Sequence, residues 1–263
     1  MTKTKLATLV TCTALALSSI ACVAPEDPPD LPPVGTMQAD VSVLDRAPAE
    51  AKNGAKAAGE YSNFANAWVR VNILRAYAVG ICAVPAAAMA LALTQDPSHV
   101  GNKWSWSLTI GQVTGDLELT FGPIAGYDVG FYVTNPDEGL DHFLWIEGAA
   151  DAALSAGHWI GHSVDRPEGA DQVLEIDWTY NSDSDRSLAF SNVDEASEDL
   201  GDVISYTVSG TTATVVFDDA SDPELVATAV WNTETGAGYL QVPGYNGGEP
   251  ACWDEAFLDV PCE

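Results

Sequence analysis

The sequence predicts an α+β fold in which a long antiparallel β-meander forms a barrel or half-barrel around an N-terminal apolar helix. Three observations lead there. Runs that alternate apolar and polar residues follow one another from residue 103 nearly to the C-terminus; an Ala-rich stretch before them carries no charge over eighteen residues; and tryptophan recurs among the apolar positions of the runs. With 263 residues, 47% of them hydrophobic, the chain is long enough for one sizeable core, assigned here to a single domain over 51–263.

The helix comes first. From Ala49 to Thr94 the chain uses Ala heavily, and Tyr61, Phe64, Ala65, Trp68, Val71, Ile73 and Leu74 recur near helical spacing. Its second half, AYAVGICAVPAAAMALAL at 76–93, is as long as a minimal membrane span. Ala contributes little to insertion, however, and Gly80 and Pro85 interrupt the run. A helix apolar on every side is otherwise one buried on every side, so the stretch 60–94 is expected to fill the curved sheet. Cys82 lies within it with no charged neighbour, as a small buried hydrophobe would.

The strands follow. KWSWSLTIG at 103–111 places Trp104, Trp106, Leu108 and Ile110 on one parity, with Ser and Thr on the other. Similar runs occupy 115–121, 127–134, 142–148, 157–163, 173–180, 187–193, 203–210, 212–219, 225–232 and 238–244, each bounded by Gly, Asn, Asp or Pro. Their spacing suits hairpin-joined antiparallel strands and leaves no room for crossover helices. Trp104, Trp106, Trp145, Trp159, Trp178 and Trp231 are either a stacking platform for a ligand or the inside of the sheet. The inside is favoured, because the alternate face of Trp104 and Trp106 is Ser, Ser and Thr, which water suits and a core does not.

Ahead of the folded part, a basic MTKTK is followed by LATLVTCTALALSSIA and then Cys22. This is an export signal over 1–21. Ser19, Ile20, Ala21 and Cys22 resemble the lipobox of bacterial lipoproteins, which implies cleavage before Cys22 and a diacylglycerol on its thiol. Residues 22–50, rich in Pro and Asp, read as the lipidated cysteine and a disordered tether. In the enterobacterial version of that family Asp after the cysteine favours the inner membrane. Val23 stands there, so the resemblance implies a cell-envelope protein of the outer membrane, with the membrane as partner through the anchor.

Ten basic residues face 38 acidic ones, and Lys3 and Lys5 leave with the signal, so the mature chain carries a formal charge of −30. Such a surface repels nucleic acid and anionic lipid. In an oxidising compartment Cys252 and Cys262, sharing the Gly/Pro-rich tail, are expected to pair.

Chemical motifs are sparse. His158 and His162 have zinc-helix spacing, but on a strand four residues span about 13 Å, too far for one ion; His99 and His142 are the other imidazoles. Asn181, Asp183 and Asp185 alternate like the oxygen ligands of a calcium loop, although Arg186 stands where that loop needs Gly and Asn192 where it needs Glu. A polar hairpin turn explains the segment as well, and calcium is the one cofactor the sequence brings into view. There is no nucleophile elbow, Cys–His pair or phosphate loop. The acidic pair Glu175 and Asp177 shares one strand face and supplies the only opening for a hydrolase acting on envelope polymers. The expected function is therefore non-catalytic: a lipid-anchored envelope protein binding a small hydrophobic ligand or a protein partner at the mouth of the curved sheet. A structural or adhesive surface protein using divalent cations is the alternative.

Overall fold

The computed structural model describes residues 40–52, 60–72, 75, 90, 93–122, 126–168, 171–222 and 226–262. Fourteen strands make one antiparallel sheet whose spatial order is the chain order. They are β1 (Ser98–Val100), β2 (Lys103–Ile110), β3 (Val113–Gly122), β4 (Gly126–Asn135), β5 (Leu140–Ala150), β6 (Ala156–His162) and β7 (Gln172–Ser182). There follow β8 (Asp185–Asn192), β9 (Val203–Ser209), β10 (Thr212–Asp218), β11 (Val226–Asn232), β12 (Gly238–Gln241), β13 (Ala251–Trp253) and β14 (Asp259–Val260). Strands β2 to β12 fall on the eleven alternating runs. The three short ones lie outside them, because two or three residues carry no readable period.

Register gives the sheet one buried face. Antiparallel partners point the same way, and one row runs Trp104, Leu119, Val129, Gly148, Trp159, Ile176, Phe190, Ile204 across eight successive strands. Most of this row is core. The tryptophans point inward: Trp104, Trp106, Trp178 and Trp231 are 0, 4, 4 and 1% exposed, while Trp145, beside the register shift between β4 and β5, and Trp159 are half-buried. Glycines opposite the indoles make room for them. A methyl on Gly157 would come within 2.7 Å of the Trp178 Nε1, and one on Gly238 within 2.8 Å of the Trp253 ring. Cross-strand packing of aromatic rings over glycine restores the contacts that glycine lacks.

The barrel or half-barrel around a central helix is corrected. The sheet is open: β1 pairs only with β2 and β14 only with β13 among the described residues. Local alternation sets which neighbours pair, but closure depends on the tilt and shear of the whole sheet, which no single run encodes. The edges are also poor templates, at three and two residues, with Pro97 ahead of β1.

The expected central filler at 60–94 is described only at 60–72, 75, 90 and 93–94; most of the charge-free run, Cys82 included, lies outside the described residues, as do the signal at 1–21 and Cys22. Residues 62–72 are helical. That segment sits by the last strands, where Phe64 lies 5.7 Å from Trp253 and 4.7 Å from Phe257, ring to ring. Asp259 holds its start, accepting hydrogen bonds from the Ser62 and Asn63 amides, as an N-terminal carboxylate does for orphan N–H groups. No helix among the described residues is long and apolar enough to cross a membrane.

The span expected as tether, 22–50, meets the domain early. Val41, Val43 and Leu44 are buried in the core, followed by a short helix α1 (Ala49–Lys52). Three apolar side chains within four residues are enough to dock a segment that composition alone marks as linker.

Candidate functional site

At one end of the sheet the β7–β8, β9–β10 and β11–β12 turns meet the segment that enters the domain at Asp40. Between them lies a cleft of about 620 Å³, lined by Asp40, Ser42, Val43, Asp183, Ser184, Arg186, Tyr206, Val208, Gly210, Thr211, Thr233 and Glu234. The turns are tied to one another through backbone: Gly210 N–H donates to the Ser184 carbonyl and Thr233 N–H to the Thr211 carbonyl, each at 2.8 Å. Gly210 takes a φ of +62°, the left-handed turn conformation that glycine adopts without strain.

Arg186 is the chemical centre. It shares parity with Leu188 and Phe190, so its side chain enters from the buried face, and it is 11% exposed. Its neighbour Tyr206 accepts a hydrogen bond from Nη2 at 3.5 Å and presents its ring 5.7 Å from the guanidinium carbon. The Tyr206 hydroxyl donates in turn to the Asp40 carbonyl at 3.2 Å. The Asp40 carboxylate stands 3.8 Å from Nη2, and Nε is buried with no hydrogen-bond partner among the described residues. A guanidinium has five donors and stays charged at any physiological pH. Arg186 therefore keeps most of its hydrogen-bonding capacity uncommitted.

Burial lifts the Tyr206 hydroxyl above its ordinary pKa, with Arg186 opposing, so it remains a neutral donor. Burial pushes Asp40 up as well. Hydrogen bonds from the Ser42 side chain and amide, with the charges of Arg186 and Arg75, outweigh it and hold this carboxyl below the usual range. Asp183 accepts from the Tyr180 hydroxyl at 2.8 Å. Arg46 Nη2 donates to the Glu234 backbone carbonyl at 2.8 Å, fixing the far wall.

The residues singled out by sequence are dispersed. Of Asn181, Asp183 and Asp185 only Asp183 lines the cleft; Asn181 Nδ2 donates to Asp185 Oδ2 at 3.1 Å in the hairpin beside it. Among the described residues no group of three His, Cys, Asp or Glu is arranged to hold a metal ion. Cys252 and Cys262 form a disulfide with Cα atoms 5.3 Å apart, pinning the tail near β13. His158 and His162 each face a carboxylate of a neighbouring strand rather than each other: His158 lies 2.8 Å from Asp177 and His162 3.2 Å from Glu147. Trp104, Trp106, Trp145, Trp159, Trp178 and Trp231 belong to or border the core and none of them lines the cleft. His99 stacks on Trp104 at 4.6 Å and His142 on Tyr132 at 4.2 Å.

Sequence reasoning missed Arg186, Tyr206, Asp40 and Glu234. One signal was available: in RSLAF the arginine has the parity of Leu188 and Phe190, and an inward-pointing cation in so acidic a chain needs a reason. Comparison with protein-family models, with curated proteins and with solved structures finds no match.

Proposed function

We propose that this chain is a non-catalytic, lipid-anchored protein of the bacterial cell envelope, held through Cys22 on the outer membrane, whose sheet domain binds a small amphipathic molecule in the cleft around Arg186. The observation that carries the reading is a guanidinium sunk into a roomy cleft with, among the described residues, one long side-chain hydrogen bond, beside the apolar side chains of Val43 and Val208. Pockets of this volume that combine apolar walls with a few convergent polar groups suit small ligands. The lining has no histidine or cysteine, and the hydroxyl that meets a carboxylate, Ser42 on Asp40, meets one whose pKa is lowered, which makes it a poor proton acceptor. Binding without chemistry is what such a set supports.

Two measurements test the two halves. Labelled palmitate should enter the wild type and not Cys22→Ala; label absent from both removes the anchor. Native mass spectrometry after incubation with envelope lipid extract should show an adduct on the wild type that Arg186→Gln loses. An unchanged apo mass removes the binding function.

A further inference from the structure

We infer that the cleft takes a zwitterionic group, its anion seated on the Arg186 guanidinium that Tyr206 positions and its ammonium among Asp183 and Glu234. Phosphoethanolamine is the simplest carrier of that chemistry. The inference rests on the binding function proposed above and names its ligand class.

The anion seat follows from unmet donors. Arg186 is 11% exposed, and among the described residues its guanidinium makes one side-chain hydrogen bond, 3.5 Å long, to Tyr206, which leaves donors on its terminal nitrogens unmet. Asp40 compensates incompletely from 3.8 Å. A phosphate oxygen is the ligand that a guanidinium fork fits best.

An anion alone does not suit the cleft. Asp40, Asp183 and Glu234 bring three carboxylates to one guanidinium among the lining residues, inside a chain whose formal charge is −28. Asp183 spends one carboxylate oxygen on Tyr180, while Glu234 is held through its backbone and its carboxylate makes no hydrogen bond or ion pair among the described residues. These two carboxylates are the free counter-charges. A cation alone would meet Arg186 at the buried end. Only a ligand bearing both signs satisfies both walls, and opposite charges in a partly desolvated cleft attract far more than in water.

The position of the cleft favours a lipid as the source. Asp40 lines it, and the seventeen residues 23–39 that join Asp40 to Cys22 span at most about 60 Å when extended. An anchored chain thus holds this end within reach of the bilayer, with Val43 and Val208 providing an apolar wall beside the charged groups.

The test uses the full mature chain carrying Cys22→Ala, so that the anchor does not mask binding. Calorimetry with soluble phosphoethanolamine should show binding at least tenfold tighter than with inorganic phosphate or with ethanolamine. Arg186→Gln and Tyr206→Phe should each weaken it, the first at least tenfold, with far-UV circular dichroism unchanged. The double variant Asp183→Asn/Glu234→Gln should weaken phosphoethanolamine at least tenfold and leave phosphate binding equal or stronger. Co-flotation with phosphatidylcholine vesicles containing phosphatidylethanolamine, absent with phosphatidylcholine alone, supports the lipid as source; binding of the soluble zwitterion without flotation supports a free one. Equal affinity for phosphate and phosphoethanolamine overturns the zwitterion. If an extract lipid binds in an Arg186-dependent way and phosphoethanolamine does not, the ligand class falls and the binding function stands; if neither binds, both fall.

Discussion

Trimming two buried tryptophans to phenylalanine separates packing from hydrogen bonding on the inner face. Trp231 and Trp253 are both buried, on neighbouring register positions either side of Gly238. Their polar atoms differ: Trp253 Nε1 donates to the buried Gly236 carbonyl at 2.7 Å, and Trp231 Nε1 has no hydrogen-bond partner among the described residues. In either position the smaller ring gives up on the order of 50 Å² of apolar burial, about 1.3 kcal/mol at ~25 cal/mol/Å², and the residual cavity adds to it. At Trp231 the change also removes an unsatisfied donor, recovering about 1–3 kcal/mol, so the net effect should lie within about 1 kcal/mol of zero. At Trp253 it breaks a bond and orphans a buried carbonyl, adding about 1–2 kcal/mol of loss. Trp253→Phe should therefore be less stable than Trp231→Phe by about 3 kcal/mol, or roughly 6–12 °C in midpoint for a domain of this size. Urea unfolding followed by far-UV circular dichroism measures it without relying on the indoles removed. Equal losses would refute the assignment of partnered and unpartnered indoles.

Three further outcomes follow from the same geometry. Gly238→Ala places a methyl against the Val230 carbonyl oxygen, backbone that cannot yield, and should cost about 3 kcal/mol or more, whereas Gly210→Ala meets open space and only its positive φ, costing about 1–2 kcal/mol; thermal unfolding ranks the pair. Replacing Cys252 and Cys262 with Ser opens a ten-residue separation and should remove about 2.7 kcal/mol on the chain-entropy relation, read as a lowered urea midpoint. Ser155 hydrogen bonds hold the Asp151 carboxyl below its ordinary 3.8, and Ser221 does the same for Asp219. A lowered folded-state pKa contributes stability that is present above the ordinary value and lost as pH falls through the lowered one. An acid titration of stability should thus show these contributions disappearing below pH 3.8, and a loss centred near pH 6 would contradict it.

The sequence carried the strands well and their assembly poorly. Alternation in KWSWSLTIG or VLEIDWTY is a local signal, set by which side chains meet the core, and it located β2 and β7 to within a residue or two. Whether β14 returns to β1 is decided by accumulated twist and register over fourteen strands, and small errors in each sum to an unreadable total. The cleft was harder still. Its parts come from residues 40–43, 183–186, 206–211 and 233–234, and only the chain-order pairing of the strands between them makes those turns neighbours. The histidines of GHWIGHS drew attention through their type, yet strand geometry pairs each with a different carboxylate across the sheet. Arg186 carried a quieter signal, a charge on an apolar parity, which becomes informative only once the parity of its whole strand is known.

Amide hydrogen exchange with and without phosphoethanolamine tests most directly whether the Arg186 cleft is the functional site. Protection should rise in the peptides covering 182–186, 206–211 and 233–235 and nowhere else on the sheet, and it should vanish in Arg186→Gln. Protection centred instead on the outer face around His158 and Asp177, or on the edge strand β1, would contradict the account.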